Sequence, residues 1–441
     1  MKSDLLVEDP LKLFVRLAVP GIVGMIVIGL YPFMDGIFAG WLIGEQAMSA
    51  ISVSIPLTLL NSAVAALIGV GSASVLSRAI GQGDRARISQ IFGNYIYWVI
   101  VFSAVITVVG VVCAPVFLDL IGTSGEIRDL GVRYARIVFL GSLFVNFAQA
   151  GNMTMRGEGA LKQSMVIMGS GALVNIALDP IFMVAAGEYA IEGAAVATVV
   201  SQIFQAVLTY RYFAHSSEFV KVHPVRRSPE VTTPVFSVGI SAMLLQLLFA
   251  LQQGLFFSQA FAYGGEEWGI LMSGTMRLYM FAFIPLWGMS QGLQPVIGAN
   301  FGAGNIDRVR KTMRIFFVGA TCLAALSWIP AMVFSEQLLT IFNVSPEILA
   351  ENGYAFRLFY SVFIVYGLMI MTLTFFQSIG DAKRAGIYVF LRQFVLFVPA
   401  IVLLPMAFGP AAVWWAGPLV DAIVILGGVI VQQRILSNLK G

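Results

Sequence analysis

The chain has 441 residues, of which 59% are hydrophobic and 11% are charged, and its mean hydropathy is +0.88. Soluble globular domains carry about 25% charged residues, so this composition excludes a soluble enzyme and indicates a polytopic membrane protein. The net charge of +3 comes from loop lysines and arginines, and we expect no nucleic-acid partner.

Apolar stretches of about 20 residues predict membrane-spanning helices. Six precede and six follow the polar connection 215–234, at residues 13–43, 47–77, 91–118, 131–154, 163–186, 191–213, 235–262, 268–298, 312–334, 353–377, 385–406 and 411–433. We predict an all-α integral membrane protein. Its N-lobe is 1–214, its cytoplasmic linker is 215–234 and its C-lobe is 235–441.

The basic residues predict the orientation. Alternate connections contain 20 of the 26 lysines and arginines, the opposite connections contain four, and two lie inside spans. The positive-inside rule then places both termini and the linker in the cytoplasm. The N-terminus lacks the short apolar region and cleavage site of a secretory signal, so we expect the first span to be retained.

The two halves repeat in sequence. A shift of 218 aligns GLYPFMDGIFAG (29–40) with LFALQQGLFFSQ (247–258), and a shift of 221 aligns GDRAR (83–87) with GNIDR (304–308). Six spans per repeat predict a symmetry axis along the membrane normal and a substrate held between the halves. The repeat is asymmetric, because Asp35 aligns with Gln253.

The first span contains one carboxylate, Asp35, and two prolines, Pro20 and Pro32. A charge inside hydrocarbon costs at least about 2.5 kcal/mol, and such residues usually face a cavity in which they bind or relay an ion. Each proline removes one N–H from the helix. We therefore expect a bent helix whose shape responds to protonation.

Span 5 contains a second polar group. Asn175 and Asp179 are four residues apart and therefore share one helix face, and Pro180 releases the carbonyl of Ile176 between them. Asp35 and Asp179 are each about eight or nine residues below the predicted outer helix end, or some 12 Å. Two acids at one depth could share a proton or a sodium ion, and the sequence leaves that choice open.

Three charges lie inside spans of the second half: Arg277, Arg392 and Asp421. Arg392 and Asp421 occupy adjacent antiparallel spans, so we predict a structural ion pair. The residues predict no role for Arg277.

The chain resembles the multidrug and toxic compound extrusion (MATE) family over essentially its whole length. The resemblance lies in VPGIVGMIVIGLYPFMDGIFAG, in MRGEGALKQ followed by NIALDPIF, in EGAAVATVVSQ and in QGLQPVIGANFGAGNIDRVRKT. It implies twelve spans in a V-shaped bundle of two lobes, in a prokaryotic plasma or inner membrane. The acids in spans 1 and 5 resemble the DinF-like branch, whereas Gln252 and Gln253 stand where the NorM type has a C-lobe carboxylate.

The resemblance also implies roles for single residues. The cation-coupling set, which could hold Na⁺, is Asp35, Asn175, Asp179 and Thr198. Tyr134 is a secondary candidate, and Pro20 matches the proline at which span 1 bends when the acid is protonated. The structural alternatives are a Thr198 hydroxyl bonded to its own helix and a Tyr134 ring in the interfacial aromatic belt.

The resulting hypothesis is a monomeric antiporter without a cofactor. It exports small amphipathic, often cationic drugs across the lipid bilayer, driven by H⁺ or Na⁺, and ion binding at Asp35 rearranges span 1 near Pro20. A lipid or lipid-linked oligosaccharide flippase is the main alternative, and the acids favour cationic cargo over phosphate. A membrane-embedded enzyme and a passive channel are the remaining alternatives.

Overall fold

A computed structural model describes residues 4–120, 125–341, 344 and 346–438. Within these ranges it leaves out the side chains of 30–37, 39, 40, 45, 46, 48, 49, 52, 53, 55, 56, 120, 250, 266 and 341. The described residues are almost entirely helical and contain no strand.

Sixteen α-helices follow one another along the described chain. They are α1 (Asp4–Val7), α2 (Pro10–Leu42), α3 (Glu45–Gln82), α4 (Arg85–Leu120), α5 (Gly125–Leu140), α6 (Ser142–Gly157), α7 (Leu161–Ala186), α8 (Ala190–Arg211), α9 (Pro229–Gly302), α10 (Ile306–Val333), α11 (Ser335–Ile341), α12 (Pro346–Tyr360), α13 (Phe363–Ile379), α14 (Ala382–Phe390), α15 (Phe397–Phe408) and α16 (Ala412–Asn438). A 3₁₀ turn, Gly187–Tyr189, joins α7 to α8, and π-helical turns occupy Tyr212–Ser216 and Leu391–Leu396.

The described residues contain the twelve predicted spans. Ten segments are long and apolar enough to cross a membrane, and the bent pair of α5 and α6 makes an eleventh. One of the ten, Leu161–Ser216, is 56 residues long and contains both α7 and α8. Helix α9 contains spans 7 and 8, which count separately among the ten and are divided at Gly265, where φ is 59°. The predicted number of spans is therefore confirmed.

The predicted repeat is visible in the backbone. Of the nine described glycines with positive φ, all but Gly125 form matched pairs. Three pairs have the same shift as GDRAR and GNIDR and one has a shift a single position longer: Gly44 with Gly265, Gly83 with Gly304, Gly159 with Gly380, and Gly187 with Gly409. Only glycine adopts positive φ without steric cost, so these residues mark the ends of equivalent helices. Both halves therefore break their helices at corresponding positions.

Contacts divide the chain into two compact units, which differ from the predicted lobes. The C unit contains residues 1–22 and 244–441, and the N unit contains residues 23–243. The start of α2 belongs to the C unit because it packs there, as the edge-to-face contact of Phe14 with Phe316 shows, with 4.9 Å between ring centroids. The lobe boundaries at 214 and 235 stay a prediction, because a contact-based unit need not follow a sequence repeat.

The core of the C unit is aromatic. Trp268 and Trp414 meet edge to face at 5.6 Å between centroids, and Phe256 packs on Phe397 at 4.8 Å. The side chain of Trp414 is fully buried. Such pairs contribute beyond the area that they bury, so these rings stabilise the packing of spans 7, 8, 11 and 12.

Span 4 of the N unit is broken between α5 and α6, which meet at a bend of 59°. Hydroxyl groups on α4 bond to carbonyls at the break: Thr107 Oγ1 donates to the carbonyl of Phe139 at 2.9 Å, and Ser103 Oγ donates to that of Ser142 at 3.4 Å. Carbonyls released from a helix in hydrocarbon need such partners. The bend is thus stabilised by polar residues that the hydropathy pattern does not reveal.

Candidate functional site

The predicted pair on α7 is formed. Asn175 Nδ2 donates a hydrogen bond of 3.0 Å to Asp179 Oδ1, and each residue is 1% exposed. Pro180 lies inside the helix one position later and has no N–H to offer the carbonyl of Ile176. An amide, a carboxylate and a backbone carbonyl are therefore grouped within one turn.

Helices α7 and α8 pack as an antiparallel hairpin, and two glycines define their register. A Cβ on Gly193 would lie 2.8 Å from the carbonyl carbon of Phe182, and a Cβ on Gly171 would meet the side chain of Gln205. On this register, Asp179 lies level with residues 196–197 of α8, and Thr198 lies level with residues 177–178 of α7, between Asn175 and Asp179. The structure thus brings Asn175, Asp179 and Thr198 to one depth of the hairpin.

Thr198 is 4% exposed, and its hydroxyl donates to the carbonyl of Ala194 at 3.1 Å. This is the bond back to its own helix that the structural alternative expects. It uses the hydroxyl proton and leaves lone pairs on the oxygen, so Thr198 can still accept a hydrogen bond or ligate a cation.

Tyr134 lies on α5 and is 6% exposed. It belongs to a buried cluster that also contains Met183 of α7 and Ile191 and Ala194 of α8. Met183 is one turn from Asp179, and Ala194 is the residue that accepts the Thr198 bond. A buried ring beside the hairpin does not fit the interfacial-belt alternative for this residue.

Asp35 is in α2, but its side chain lies outside the described part of the structure. Pro20 is in the same helix, two residues before the point where α2 passes from the C unit to the N unit. Because proline has no N–H, it leaves the carbonyl of Arg16 without its helical donor and weakens the helix there. A weakened turn next to a change of packing partner suits a hinge.

The groups beside Asp179 that could contact a cation are oxygens. In the described ranges, no group of three or more His, Cys, Asp or Glu side chains could hold a metal ion. A cation beside Asp179 would therefore depend on neutral oxygens, such as the Asn175 amide and the Thr198 hydroxyl, together with any second carboxylate. Hard oxygen ligands of this kind suit Na⁺ or a shared proton and do not suit transition metals.

The predicted ion pair of the second half is confirmed. Arg392 Nε donates to Asp421 Oδ1 at 2.7 Å, and Arg392 also donates to the hydroxyl of Tyr366 at 2.7 Å. All three residues are at most 9% exposed. Arg392 lies on the π-helical turn of span 11, and neither this turn nor Tyr366 is detectable from hydropathy.

Asp421 has further neighbours that the sequence repeat obscures. It lines a small cavity of about 30 Å³ together with Gln252, Gln253, Tyr279 and Phe359. The residue of span 7 that aligns with Asp35 in the repeat is Gln253, which has no charge. Asp421 of span 12 nevertheless supplies a carboxylate to the cavity that Gln253 lines. The second half therefore has an acidic polar cavity, although its acid is paired with Arg392.

The hydropathy pattern does not indicate one buried acid, Glu158. Glu158, in the turn between α6 and α7, is 8% exposed. It accepts hydrogen bonds from the Tyr212 hydroxyl, from Ser217 Oγ at 2.8 Å, and from the backbone N–H groups of Phe219 and Val220 at 3.3 and 3.4 Å. Burial raises the pKa of Glu158 despite these donors. It ties the segment after α8 to this turn, and its partners are 54 to 62 residues away in sequence, so no local pattern could identify it.

Known relatives extend over nearly the whole chain. The multidrug export protein MepA of Staphylococcus aureus (strain MSSA476) is 23% identical over 433 residues, which cover 97% of this chain and 94% of MepA. MepA of Staphylococcus haemolyticus (strain JCSC1435) is 24% identical and covers 92% of this chain and 89% of its own length.

Solved structures and a family model agree with these relatives. A structure described as MATE in the bent conformation has a TM-score of 0.92 and 25% identity, covering 99% of this chain and 97% of its own. A structure described as MATE in the straight conformation has a TM-score of 0.91 and 25% identity, and the match covers 99% of this chain and 98% of that one. The MatE family model matches residues 20–181 and 271–403, well over half of the sequence. The chain therefore belongs to the MatE family.

Proposed function

We propose that the protein is a cation-coupled antiporter that exports small amphipathic, often cationic drugs, and that Asp35, Asn175, Asp179 and Thr198 form its coupling site. The observation that carries the proposal is the buried, hydrogen-bonded pair of Asn175 and Asp179 level with Thr198. An acid in a membrane helix is costly and is usually retained for ion transport. The name of the MepA relatives supports drugs as cargo.

Ion coupling follows from the charge of the acids. With Asp35 and Asp179 ionised, the N-terminal half attracts a cationic drug. A proton or Na⁺ that enters from outside neutralises the same charge, so ion and drug compete for it, and binding of the ion releases the drug. Competition for one charge couples the two fluxes without a separate energy source.

Helix α2 transmits the change. The turn around Pro20 is a weak point of the helix, because it lacks one hydrogen bond and lies beside the change of compact unit between residues 22 and 23. Neutralising Asp35 removes the cost of placing a charge in a membrane-spanning helix, and α2 then bends near Pro20 and repacks. Two structural neighbours are described as MATE in the bent conformation and in the straight conformation, so proteins of this fold adopt more than one conformation.

Efflux from proteoliposomes tests the proposal. The purified protein is reconstituted, loaded with a fluorescent organic cation such as ethidium, and given a pH gradient, a Na⁺ gradient or neither, with the membrane potential clamped. Efflux that follows only the pH gradient identifies H⁺ as the coupling ion, and efflux that follows only the Na⁺ gradient identifies Na⁺. Equal efflux in all three conditions would refute ion coupling.

The variant Asp35→Asn tests the residue itself. We expect at least a tenfold loss of gradient-driven efflux at unchanged expression. Asp307→Asn is the matched control, because this aspartate has a side chain that is 85% exposed, and we expect full activity. Undiminished efflux with intact ion dependence in Asp35→Asn would exclude the coupling role.

The proposal describes a transporter and not an enzyme, in keeping with family membership. A lipid flippase is the alternative that the same vesicles can examine. Translocation of a fluorescent phospholipid that needs the protein, with no efflux of the organic cation, would favour the flippase.

A further inference from the structure

The linker that follows α8 is fixed against other parts of the N unit at both of its ends. Its first residues bond to Glu158, and its last residues bond to the third turn of α4. The backbone N–H of Arg226 donates to the carbonyl of Gly93 at 3.3 Å, and that of Ser228 donates to Asn94 Oδ1 at 3.1 Å. The segment between the two attachments has no regular secondary structure, so these bonds determine its path.

A cavity of about 450 Å³ lies between this linker and α4. A Cβ on Gly93 would lie 2.4 Å from the carbonyl oxygen of Pro224, so the linker backbone packs directly on the helix where both residues line the cavity. Small-molecule sites have volumes of roughly 300–1,000 Å³, and this cavity is within that range. The polar side chains that line it include Ser89, Gln90, His223, Arg226, Arg227 and Glu230.

The two arginines of the cavity have no acidic partner among the described side chains. Arg87 of α4, by contrast, is paired with Asp84. The guanidinium group of Arg227 lies 5.8 Å from the centroid of the Trp98 ring. Such a cation–π contact holds the group in place and leaves its charge unneutralised. Arg226 and Arg227 are therefore two adjacent positive groups without a counter-ion, and they attract an anion.

Neutral hydrogen-bond donors line the same cavity. The Ser228 hydroxyl donates to Gln90 Oε1, so the amide oxygen of Gln90 is used and its two N–H groups are left for a ligand. The imidazole of His223 supplies a further N–H donor in either protonation state. The lining thus combines charged and neutral donors, which suits an oxyanion.

The positive-inside rule by itself accounts for basic residues on this side of the membrane. Lys162 and Arg211 are exposed on the same predicted side and need no other explanation, because neither lines this cavity. Arg226 and Arg227 differ from them in position. Both arginines follow a backbone that hydrogen bonds fix to α4, and both line one cavity.

We propose that this cavity binds a phosphate group, which is held by Arg226 and Arg227 and carried by a phospholipid headgroup or by a soluble organic phosphate. The planar guanidinium group can bind two phosphate oxygens through parallel hydrogen bonds. The cavity lies where spans 3 and 7 leave the predicted cytoplasmic side of the bilayer, within reach of both sources. It is a second site, and it does not depend on the proposed antiport.

Glu230 tests the sign of the ligand charge. Its carboxylate lines the cavity and repels an anion there, so Glu230→Gln should bind the phosphate group at least as tightly as the wild type does. Weaker binding by this variant would show that the cavity prefers a cation, and it would overturn the proposal.

Thermal unfolding in a neutral detergent measures the binding. The delipidated protein is titrated with glycerol 3-phosphate or with dihexanoyl phosphatidic acid, which adds two short acyl chains to the same phosphate, while sodium chloride keeps the ionic strength constant. A ligand that binds only the folded state raises the melting temperature as its concentration rises. A saturable rise with glycerol 3-phosphate identifies a soluble phosphate, and a rise with the lipid alone identifies a headgroup. The absence of a saturable rise with either ligand would overturn the proposal.

The double variant Arg226→Gln with Arg227→Gln removes both charges, and we expect the apparent affinity to fall at least tenfold. Arg226→Lys with Arg227→Lys keeps the charges and should recover most of that loss. Lys162→Gln with Arg211→Gln is the matched control, because it removes the same charge from the same unit, and its affinity should stay within twofold of the wild type. An equal loss in both glutamine double variants would mean a general surface effect and would overturn the proposal.

This assay needs no ion gradient and no transport, so it separates the phosphate site from the proposed coupling. A protein whose efflux ignores both gradients would still show the site. A protein with ion-driven efflux but no saturable response to either phosphate would keep the coupling proposal and lose this one.

Discussion

The side-chain amide of Asn175 lies 3.0 Å from Asp179 Oδ1, one turn away on α7, and both residues are almost completely buried. The bond fixes the direction of the carboxylate within a helix that Pro180 already weakens. A carboxylate that is held in one direction can meet an ion without further ordering. The same bond gives the site its first test.

Asn175→Leu removes the amide and keeps a side chain of similar size. We expect at least a tenfold loss of ion-driven efflux, because Asp179 is no longer oriented and a buried hydrogen bond to a charged group contributes about 1.5–3 kcal/mol. Efflux in proteoliposomes and thermal unfolding in detergent measure the two effects. Full efflux from a destabilised Asn175→Leu would make the pair structural only.

Thr198→Val and Thr198→Ser distinguish a ligand from a packing residue. The hydroxyl donates to its own helix, so its loss should change the free energy of unfolding by no more than about 1 kcal/mol. If the Thr198 oxygen ligates the coupling ion, Thr198→Val should lose most of the ion dependence of efflux, whereas Thr198→Ser should retain it. Equal transport by both variants would remove Thr198 from the site.

Asp421→Asn leaves Arg392 buried without its counter-ion. Breaking a buried pair in this way costs about 3–5 kcal/mol, so we expect a large fall in thermal stability. The double variant Asp421→Asn with Arg392→Gln should recover part of the loss. Arg384→Gln is the control, because its side chain is 52% exposed where it pairs with Asp381, and a surface pair contributes about 0–1 kcal/mol. A fall in the control as large as in Asp421→Asn would contradict the assignment.

Gly71→Ala and Gly427→Ala compare two glycines in spanning helices. A methyl group on Gly71 would press on the backbone of Val235, whereas nothing lies within 4 Å of a Cβ on Gly427. We expect Gly71→Ala to destabilise by about 1–3 kcal/mol and Gly427→Ala to be neutral or stabilising by up to about 1 kcal/mol. Thermal unfolding of both variants measures the difference, and equal effects would argue against the close approach.

Glu158 predicts a pH dependence outside the spans. Burial raises the pKa of Glu158 above its ordinary value of 4.5, so its contribution to stability is fully present below pH 4.5 and is lost as the pH rises through the higher, folded-state value. Glu158→Gln removes this titration. The melting temperature of the wild type minus that of the variant should therefore be largest near pH 4 and fall towards pH 8.

The exposed Glu336→Gln serves as the reference for Glu158, since it reports the effect of the amide substitution alone. If the melting temperature of the wild type minus that of Glu158→Gln grew as the pH rises, the pKa of Glu158 would be lowered and not raised. It would mean that the surrounding donors outweigh the loss of hydration.

Contacts between residues of one helix or of two adjacent spans could be predicted from the sequence. The four-residue spacing of Asn175 and Asp179 already places them on one face, and the opposite charges of Arg392 and Asp421 in adjacent spans predict their pairing. Glu158 and Tyr366 were not predictable, because their partners come from other helices and nothing in their own neighbourhood distinguishes them from solvent-exposed or lipid-facing residues.

By itself the sequence determined the class, the twelve spans, the repeat and the family. A bilayer requires long apolar helices, and the two repeats have glycines at corresponding helix ends. Only the tertiary structure decided which helices touch. It placed Thr198 level with the turn between Asn175 and Asp179, set Asp421 beside Gln253 in one cavity, and packed the start of α2 on span 8. The reason is physical: apolar faces in hydrocarbon pack by shape, and complementary shape between distant segments leaves no periodic trace in either one.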